Sequence, residues 1–294
     1  MIKIGDFLEE RYKIKDIIGH GGSSDVYEAR DIIFRRTVAI KVLNSEASKD
    51  PNSIKRFENE ARISSSLNNI NIVKIFDFGE AEGRKFIVNE YQKGQTLKDA
   101  LAYKRYFSLY ETLLIMMQFL DAIIYIHSKN IIHCDIKPQN AFYGSDGTLK
   151  LTDFGISIVK NSINNIENKG MVLGTVQYLA PEVIHGKTPD EQSDIYALGI
   201  TFFELLTGNL PFDDDNPKNV ALLHVNKQIP SPLKYMSNLP KETEKIIFKA
   251  TNKNKELRYK TAKDMKDDIL NLFNNKKQMK KSTPFLIRMF GIRK

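Results

Sequence analysis

Cysteine appears once in these 294 residues, as Cys134. A single thiol excludes an intramolecular disulfide, and no Cys/His grouping has zinc spacing, so the expected compartment is a reducing one. No run of about 18 apolar residues occurs, which excludes an uninterrupted hydrocarbon span. Residues Met1 to Asp6 carry no apolar stretch of signal-peptide length. No internal repeat is evident. These absences lead to the expectation of a soluble, cytoplasmic protein.

Acidic side chains are missing from one stretch. Residues 276–294 hold Lys276, Lys277, Lys280, Lys281, Arg288, Arg293 and Lys294 and no Asp or Glu. The net charge of +8, from 44 Lys/Arg against 36 Asp/Glu, belongs almost wholly to this tail, because the first 275 residues carry 37 basic and 36 acidic groups. A balanced body whose basic residues do not interleave with aromatics gives no reason to expect a nucleic-acid partner. In the tail, Thr283-Pro284 can start a short helix with Phe285, Leu286, Met289 and Phe290 on one face and Gly291 at its end. Such a segment can contact an anionic membrane surface or a protein peripherally, fold back on the body, or remain disordered. Nothing in the sequence sets an oligomeric state.

What is present divides the body in two. Tyr12–Ile18, Asp25–Arg30, Arg36–Leu43, Ile72–Phe78 and Lys85–Tyr91 read as strands. A helix interrupts them, starting at Asp50-Pro51, with Ile54, Phe57, Ala61 and Leu67 at mostly helical spacing up to Asn68-Asn69. From Thr96 the pattern turns helical. Leu109–His127 is long and apolar on several sides, as a helix central to a lobe would be, followed by Ser193–Leu206, Lys218–Asn226, Lys241–Thr251 and Ala262–Phe273. The fold class is α+β, with a small β-rich lobe joined near Glu90–Gly94 to a larger helical one.

Gly19-His20-Gly21-Gly22-Ser23-Ser24-Asp25-Val26 is a glycine-rich turn whose backbone can close over phosphates. The alternation of Val26–Arg30 makes it a hairpin flap and not the opening of a helix, and Ser24 stands where a third glycine is usual. Val38-Ala39-Ile40-Lys41 puts a lysine among apolar neighbours, where its ammonium needs an anionic partner. Glu60 is the candidate and Glu58 the alternative. His133-Cys134-Asp135-Ile136-Lys137-Pro138-Gln139-Asn140, followed by Asp153-Phe154-Gly155, supplies an acidic base, a cationic phosphate contact and two oxygen ligands for Mg²⁺. Phosphoryl transfer needs that set: Asp135 to accept or orient the hydroxyl proton, Lys137 to neutralise the transferred group, and Asn140 and Asp153 to hold the metal. His133 reads as a packed loop histidine, because Asp135 already fills the role of base.

These motifs, in this order, resemble those of bacterial eukaryotic-type (Hanks-type) serine/threonine protein kinases, from about Tyr12 to Phe273. The role assignments follow the general template for that family. The resemblance implies a two-lobed kinase domain over 11–274 (11–91 and 92–274) with a basic tail at 275–294. It implies ATP with Mg²⁺, or Mn²⁺, and protein substrates with Ser/Thr acceptors. Ile18, the turn from Gly19 to Ser24, Val26, Ala39 and Lys41 would line the nucleotide site, with Glu90 and Gln92 meeting adenine through their backbones. Asn89 would limit the depth behind adenine. Gly174–Glu182 is similar to the segment that seats the acceptor peptide, where Thr175 would bond Asp135 and Lys137. Asp194 would anchor the catalytic loop, and Arg258 would pair with Glu182. A catalytically weak nucleotide-binding scaffold is the alternative function. A small-molecule kinase would share the Asp-to-Asn loop but not the peptide-seating segment.

The chain departs from the family at Cys134, which stands where most relatives have an Arg that meets a phosphate on the activation segment. Between Asp153 and Gly174 the only hydroxyls are Ser157 and Ser162. Both halves of that switch are weak together, so activity independent of activation-segment phosphorylation is expected, with Lys160 or Lys169 as other possible phosphate partners. Cys134 itself reads either as a small packed side chain or as a redox sensor.

Overall fold

A computed structural model describes residues 2–154, 157–159 and 173–274. Six antiparallel strands form the first lobe: β1 (Phe7–Leu8), β2 (Tyr12–His20), β3 (Ser24–Asp31), β4 (Arg36–Leu43), β5 (Ile75–Ala81) and β6 (Arg84–Glu90), in the order β1-β2-β3-β4-β6-β5. In β2, Tyr12 and Ile14 point inward and Lys13 and Lys15 outward. The alternation then stops, because the register to β3 shifts between Ile14 and Asp16 and again between Ile17 and Gly19. Such bulges bend a strand and re-aim its side chains. Here they carry β2 into the glycine turn. Tyr12, Ile14, Tyr27, Val38, Ile40, Phe86 and Val88 close the core on one face of the sheet.

The other face receives α1 (Pro51–Ser65). Asp50 caps it by accepting from the Asn52 and Ser53 amides, with Pro51 in the first turn. Phe57 and Ala61 pack on Leu43 and Ile87, so one turn of α1 is fixed over the end of β4 and the middle of β6. The second lobe starts with β7 (Gln95–Thr96) and α2 (Leu97–Lys104), then α3 (Leu109–Ser128). Both helices open with reciprocal capping boxes, Thr96 with Asp99 and Ser108 with Glu111. Short strands β8 (Ile131–Ile132), β9 (Ala141–Tyr143), β10 (Leu149–Leu151) and β11 (Ile158–Val159) carry the loops between them. Then come α4 (Pro181–Ile184), α5 (Glu191–Thr207), α6 (Pro217–Asn226), α7 (Lys241–Ala250) and α8 (Ala262–Asn274). One large core runs through this lobe, with Met116, Phe119, Leu120 and Ile123 of α3 against Ile195, Leu198, Phe202 and Leu206 of α5. By length and composition α3 is apolar enough to cross a membrane, contrary to the reading that no such stretch exists. Its packing between α5 and α8 makes it the central helix that its all-round apolarity suggested.

Several boundaries differ from the expectation. The first helix ends at Ser65, short of Asn68-Asn69. The strand expected over Ile72–Phe78 runs from Ile75 to Ala81, while Ile72 forms an isolated parallel bridge to Leu151. Gly155, residues 160–172, the side chain of Thr175 and the tail at 275–294 lie outside the described residues. So do the expectations placed on Ser162, Lys160, Lys169 and the tail helix.

Candidate active site

The flap comes first. The Gly21 amide donates to the Ser24 carbonyl at 2.8 Å, closing the turn between β2 and β3. A Cβ on Gly21 would approach that carbonyl to 3.0 Å, tighter than side chains normally tolerate, so the close turn itself calls for glycine. Asn44, beyond the end of β4, holds the tip from below: its Nδ2 donates to the Gly22 carbonyl at 3.0 Å. His20 Nδ1 and Asp25 lie 2.8 Å apart across the hairpin. Val26 sits opposite both Gly19 and Lys41 in the ladder. Ile18 is exposed at the flap edge and Ala39 faces Asn89 on β6.

Beneath the flap, Lys41 Nζ lies 2.8 and 2.7 Å from the two Glu60 carboxylate oxygens and 3.6 Å from Asp153 Oδ1. Burial pulls the ammonium toward neutrality, but the Glu60 and Asp153 carboxylates outweigh it and raise its pKa. Burial likewise pushes Asp153 up, and Lys41 foremost among its neighbours overcomes this and lowers it. Glu58, the alternative partner, points elsewhere and pairs with Lys85 at 3.0 Å.

The loop between β8 and β9 is built around Asp135. Lys137 Nζ and Asn140 Nδ2 both address its Oδ2, each at 2.7 Å, and Asn140 Nδ2 also bonds the Asp135 carbonyl at 2.9 Å. Just before it, the His133 and Cys134 amides donate to the two oxygens of Asp194 on α5, both at 2.9 Å, and His127 Nε2 is 2.8 Å from the same carboxylate. Cys134 takes φ 69° and Asp153 φ 67°, left-handed values that cost an L-residue energy and persist only where surrounding bonds enforce them. For Cys134 those bonds are the ones its own amide and that of His133 donate to Asp194. His133 is fully buried: its Nδ1 accepts from the Asp135 amide at 3.2 Å, its ring lies on Phe154, and burial lowers its pKa. It is a packed neutral ring, as its sequence position suggested.

Two supports hold the surroundings. Arg258, wholly buried, makes a two-pronged contact with Glu182 at 2.8 and 3.1 Å and also donates to the Gln192 and Asn252 carbonyls. The Glu182 carboxyl is lowered because Arg258 more than offsets its burial. At the hinge, the Glu90 amide donates to the Lys74 carbonyl at 2.8 Å. Its carboxylate meets Lys150 of β10 at 2.9 Å, so the side chain ties the lobes together, beyond the backbone role that the resemblance implied. Gln92 follows, with its side-chain nitrogen buried and without a hydrogen bond.

Sequence reasoning missed two contributors. Asn59 donates to the Ser157 carbonyl at 3.0 Å and ties α1 to the loop after Asp153. Glu204 receives Tyr178 Oη at 2.5 Å and Lys98 at 2.6 Å under the short helical turn at 173–178. For α2 a signal existed, the capping box from Thr96 to Asp99 before Leu97, Ala100 and Leu101; for Asn59 there was none.

The sequence profile of the protein kinase domain matches residues 12–270. Serine/threonine-protein kinase PrkC of Bacillus subtilis is 43% identical over 271 residues, covering 92% of this chain and 42% of that protein. A probable serine/threonine-protein kinase PknB of Lactococcus lactis is 40% identical over 270 residues, 92% of this chain and 43% of the relative. PknB of Mycobacterium tuberculosis is 36% identical over 272 residues, 91% and 44% respectively. The chain spans less than half the length of these curated relatives.

Proposed function

The chain belongs to the protein kinase family, and on that premise we propose that it transfers the γ-phosphoryl group of ATP to Ser or Thr hydroxyls of proteins. The observation that supports this best is the convergence of Lys137 and Asn140 on one Asp135 oxygen, at 2.7 Å each. That pair fixes the carboxylate rotamer, so Asp135 can receive or orient the acceptor hydroxyl without searching for its position. Lys41, held between Glu60 and Asp153, contacts nucleotide phosphates. Because the Glu90 amide is engaged with Lys74, its carbonyl is the group left for adenine, with the Gln92 backbone beside it.

The residues fit Mg²⁺. No cluster of three or more His, Cys, Asp or Glu stands among the described residues, and Mg²⁺ held against phosphates needs none, since one or two protein oxygens and water complete its shell. Asp153 supplies a carboxylate, and Asn140, whose Nδ2 is turned to Asp135, offers its carbonyl oxygen. When bound, the metal neutralises charge on the phosphates; Mn²⁺ takes the same oxygen set.

Activation-segment phosphorylation is not required in this reading. Cys134 carries no charge for a phosphate to neutralise, and its loop geometry is enforced from below by Asp194. Ser157 is buried and donates to the His133 carbonyl at 3.0 Å, so it serves as a loop support and is shielded from modification. The test of the reaction is incubation with labelled ATP, Mg²⁺ and a cell extract, with phosphosites mapped. Phosphoserine and phosphothreonine are expected, and Asp135→Asn should lose about 10²-fold or more. Transfer undiminished in that variant would remove Asp135 from its role.

A further inference from the structure

Asn59 stands one residue before Glu60 on α1 and is aimed at a different element. Its Nδ2 donates to the Ser157 carbonyl at 3.0 Å, and its Oδ1 accepts from Arg62 Nη2 at 2.8 Å. A guanidinium only donates and a carbonyl only accepts, so one orientation of the amide satisfies both neighbours. Among the described residues, Asn59 is the one side chain of α1 that hydrogen-bonds the second lobe. Consecutive positions on a helix lie about 100° apart around its axis. Glu60 is directed at Lys41 on β4 and Asn59 at the loop after Asp153. Two ties in different directions fix the roll of the helix. Its apolar contacts, Phe57 and Ala61 in the first lobe and Ile63 in the core of the second, hold α1 down but are non-directional.

Ser157 passes the tie on. Its amide donates to the Phe154 carbonyl at 3.1 Å, its hydroxyl donates to the His133 carbonyl at 3.0 Å, and its own carbonyl receives Asn59. The residue is only 4% exposed, so water competes little for these bonds. Beside it, Ile158 and Val159 pair with Ile132 and Ile131, the strand that leads into His133, Cys134 and Asp135. The route from α1 to the Asp135 loop therefore consists of neutral hydrogen bonds and one strand pair. It contains no charge for a phosphate to balance.

We propose that Asn59 is a positioning residue that sets α1 and the Asp135 loop in register, so that the Lys41–Glu60 pair and Asp135 reach their working geometry together. It acts through Glu60 and Ser157 and not on the reacting groups themselves. The proposal rests on the kinase reading above, so its test has one arm that needs phosphate transfer and one that does not.

In the first arm the full chain transfers phosphate to casein. Asn59→Asp and Asn59→Leu both remove the donor; the first keeps an acceptor for Arg62, and the second raises helix propensity. In each, kcat/KM should fall roughly fivefold, about the effect of losing one hydrogen bond. In a Glu60→Gln background the same substitutions should change it by less than about twofold, because the group they position is already gone. Equal losses in both backgrounds, or no loss in the wild-type background, overturn the proposal. The second arm labels the nucleotide-free protein with acetic anhydride and reads Lys41 by mass spectrometry against exposed Lys227. An amine that loses its carboxylate partner becomes more reactive, so the Lys41 to Lys227 ratio should rise roughly threefold or more in Asn59→Leu. An unchanged ratio overturns the proposal even if no phosphate is transferred, whereas a raised ratio with no transfer by wild type counts against the kinase reading alone.

Discussion

Lys41 Nζ sits within 2.8 Å of both Glu60 oxygens and 3.6 Å from Asp153. Strand β4, helix α1 and the loop after β10 thus meet at one ammonium. Removing the Glu60 charge leaves Asp153 as its remaining anion and draws the cation away from the phosphate position. Glu60→Gln should lower kcat/KM at least about tenfold, or about 1.4 kcal/mol of transition-state stabilisation. Glu58→Gln, which removes a partly exposed ion pair with Lys85, should stay within about twofold of wild type. Steady-state kinetics of the two variants side by side checks this, and equal effects would argue against the assignment of Glu60.

The Glu182–Arg258 pair calls for a stability experiment. Both side chains are buried, and each satisfies the other at 2.8 and 3.1 Å. Arg258→Met strands the Glu182 carboxylate in the core, which should cost about 3–5 kcal/mol in urea unfolding. Breaking the exposed pair of Lys260 and Glu256 should leave the unfolding midpoint where it was.

A pH dependence follows from Asp31. Arg11 grips its carboxylate at 2.9 and 3.1 Å and, more than any other neighbour, lowers its pKa to about 2. A carboxyl lowered by folding contributes stability that is complete above its unfolded value, 3.8, and disappears as pH falls toward about 2. Arg11 is partly exposed and solvent screens the pair, so about 1 kcal/mol is expected. Unfolding of wild type and Asp31→Asn should differ by that amount at pH 7 and converge between pH 4 and pH 2.5. A constant gap would show that the ion pair is not its source.

The sequence made these features legible to different degrees, for physical reasons. The main strands and long helices were visible because alternation and 3.6-residue spacing are local properties. The grouping of Asp135, Lys137 and Asn140 was visible because the residues lie a few positions apart in one loop, and the structure brings them onto one carboxylate oxygen. Glu60 was preferred to Glu58 because two positions differ by about 200° around the helix axis and Glu60 lies nearer the apolar face, and the structure pairs Lys41 with Glu60. Contacts that close across the fold left no local trace. Asn59 reaches Ser157, Glu90 reaches Lys150 and Lys253 reaches His224 through Tyr196, and each partner lies far away in the chain.

The proposed independence of this loop from a phosphate on the activation segment can be measured directly. The direct measurement is first-turnover phosphate transfer by phosphatase-treated protein, shown by mass to be unmodified, alongside Ser157→Ala/Ser162→Ala. Rates within about tenfold of untreated wild type are expected. A larger loss in both, restored when the wild-type segment is phosphorylated, would contradict it.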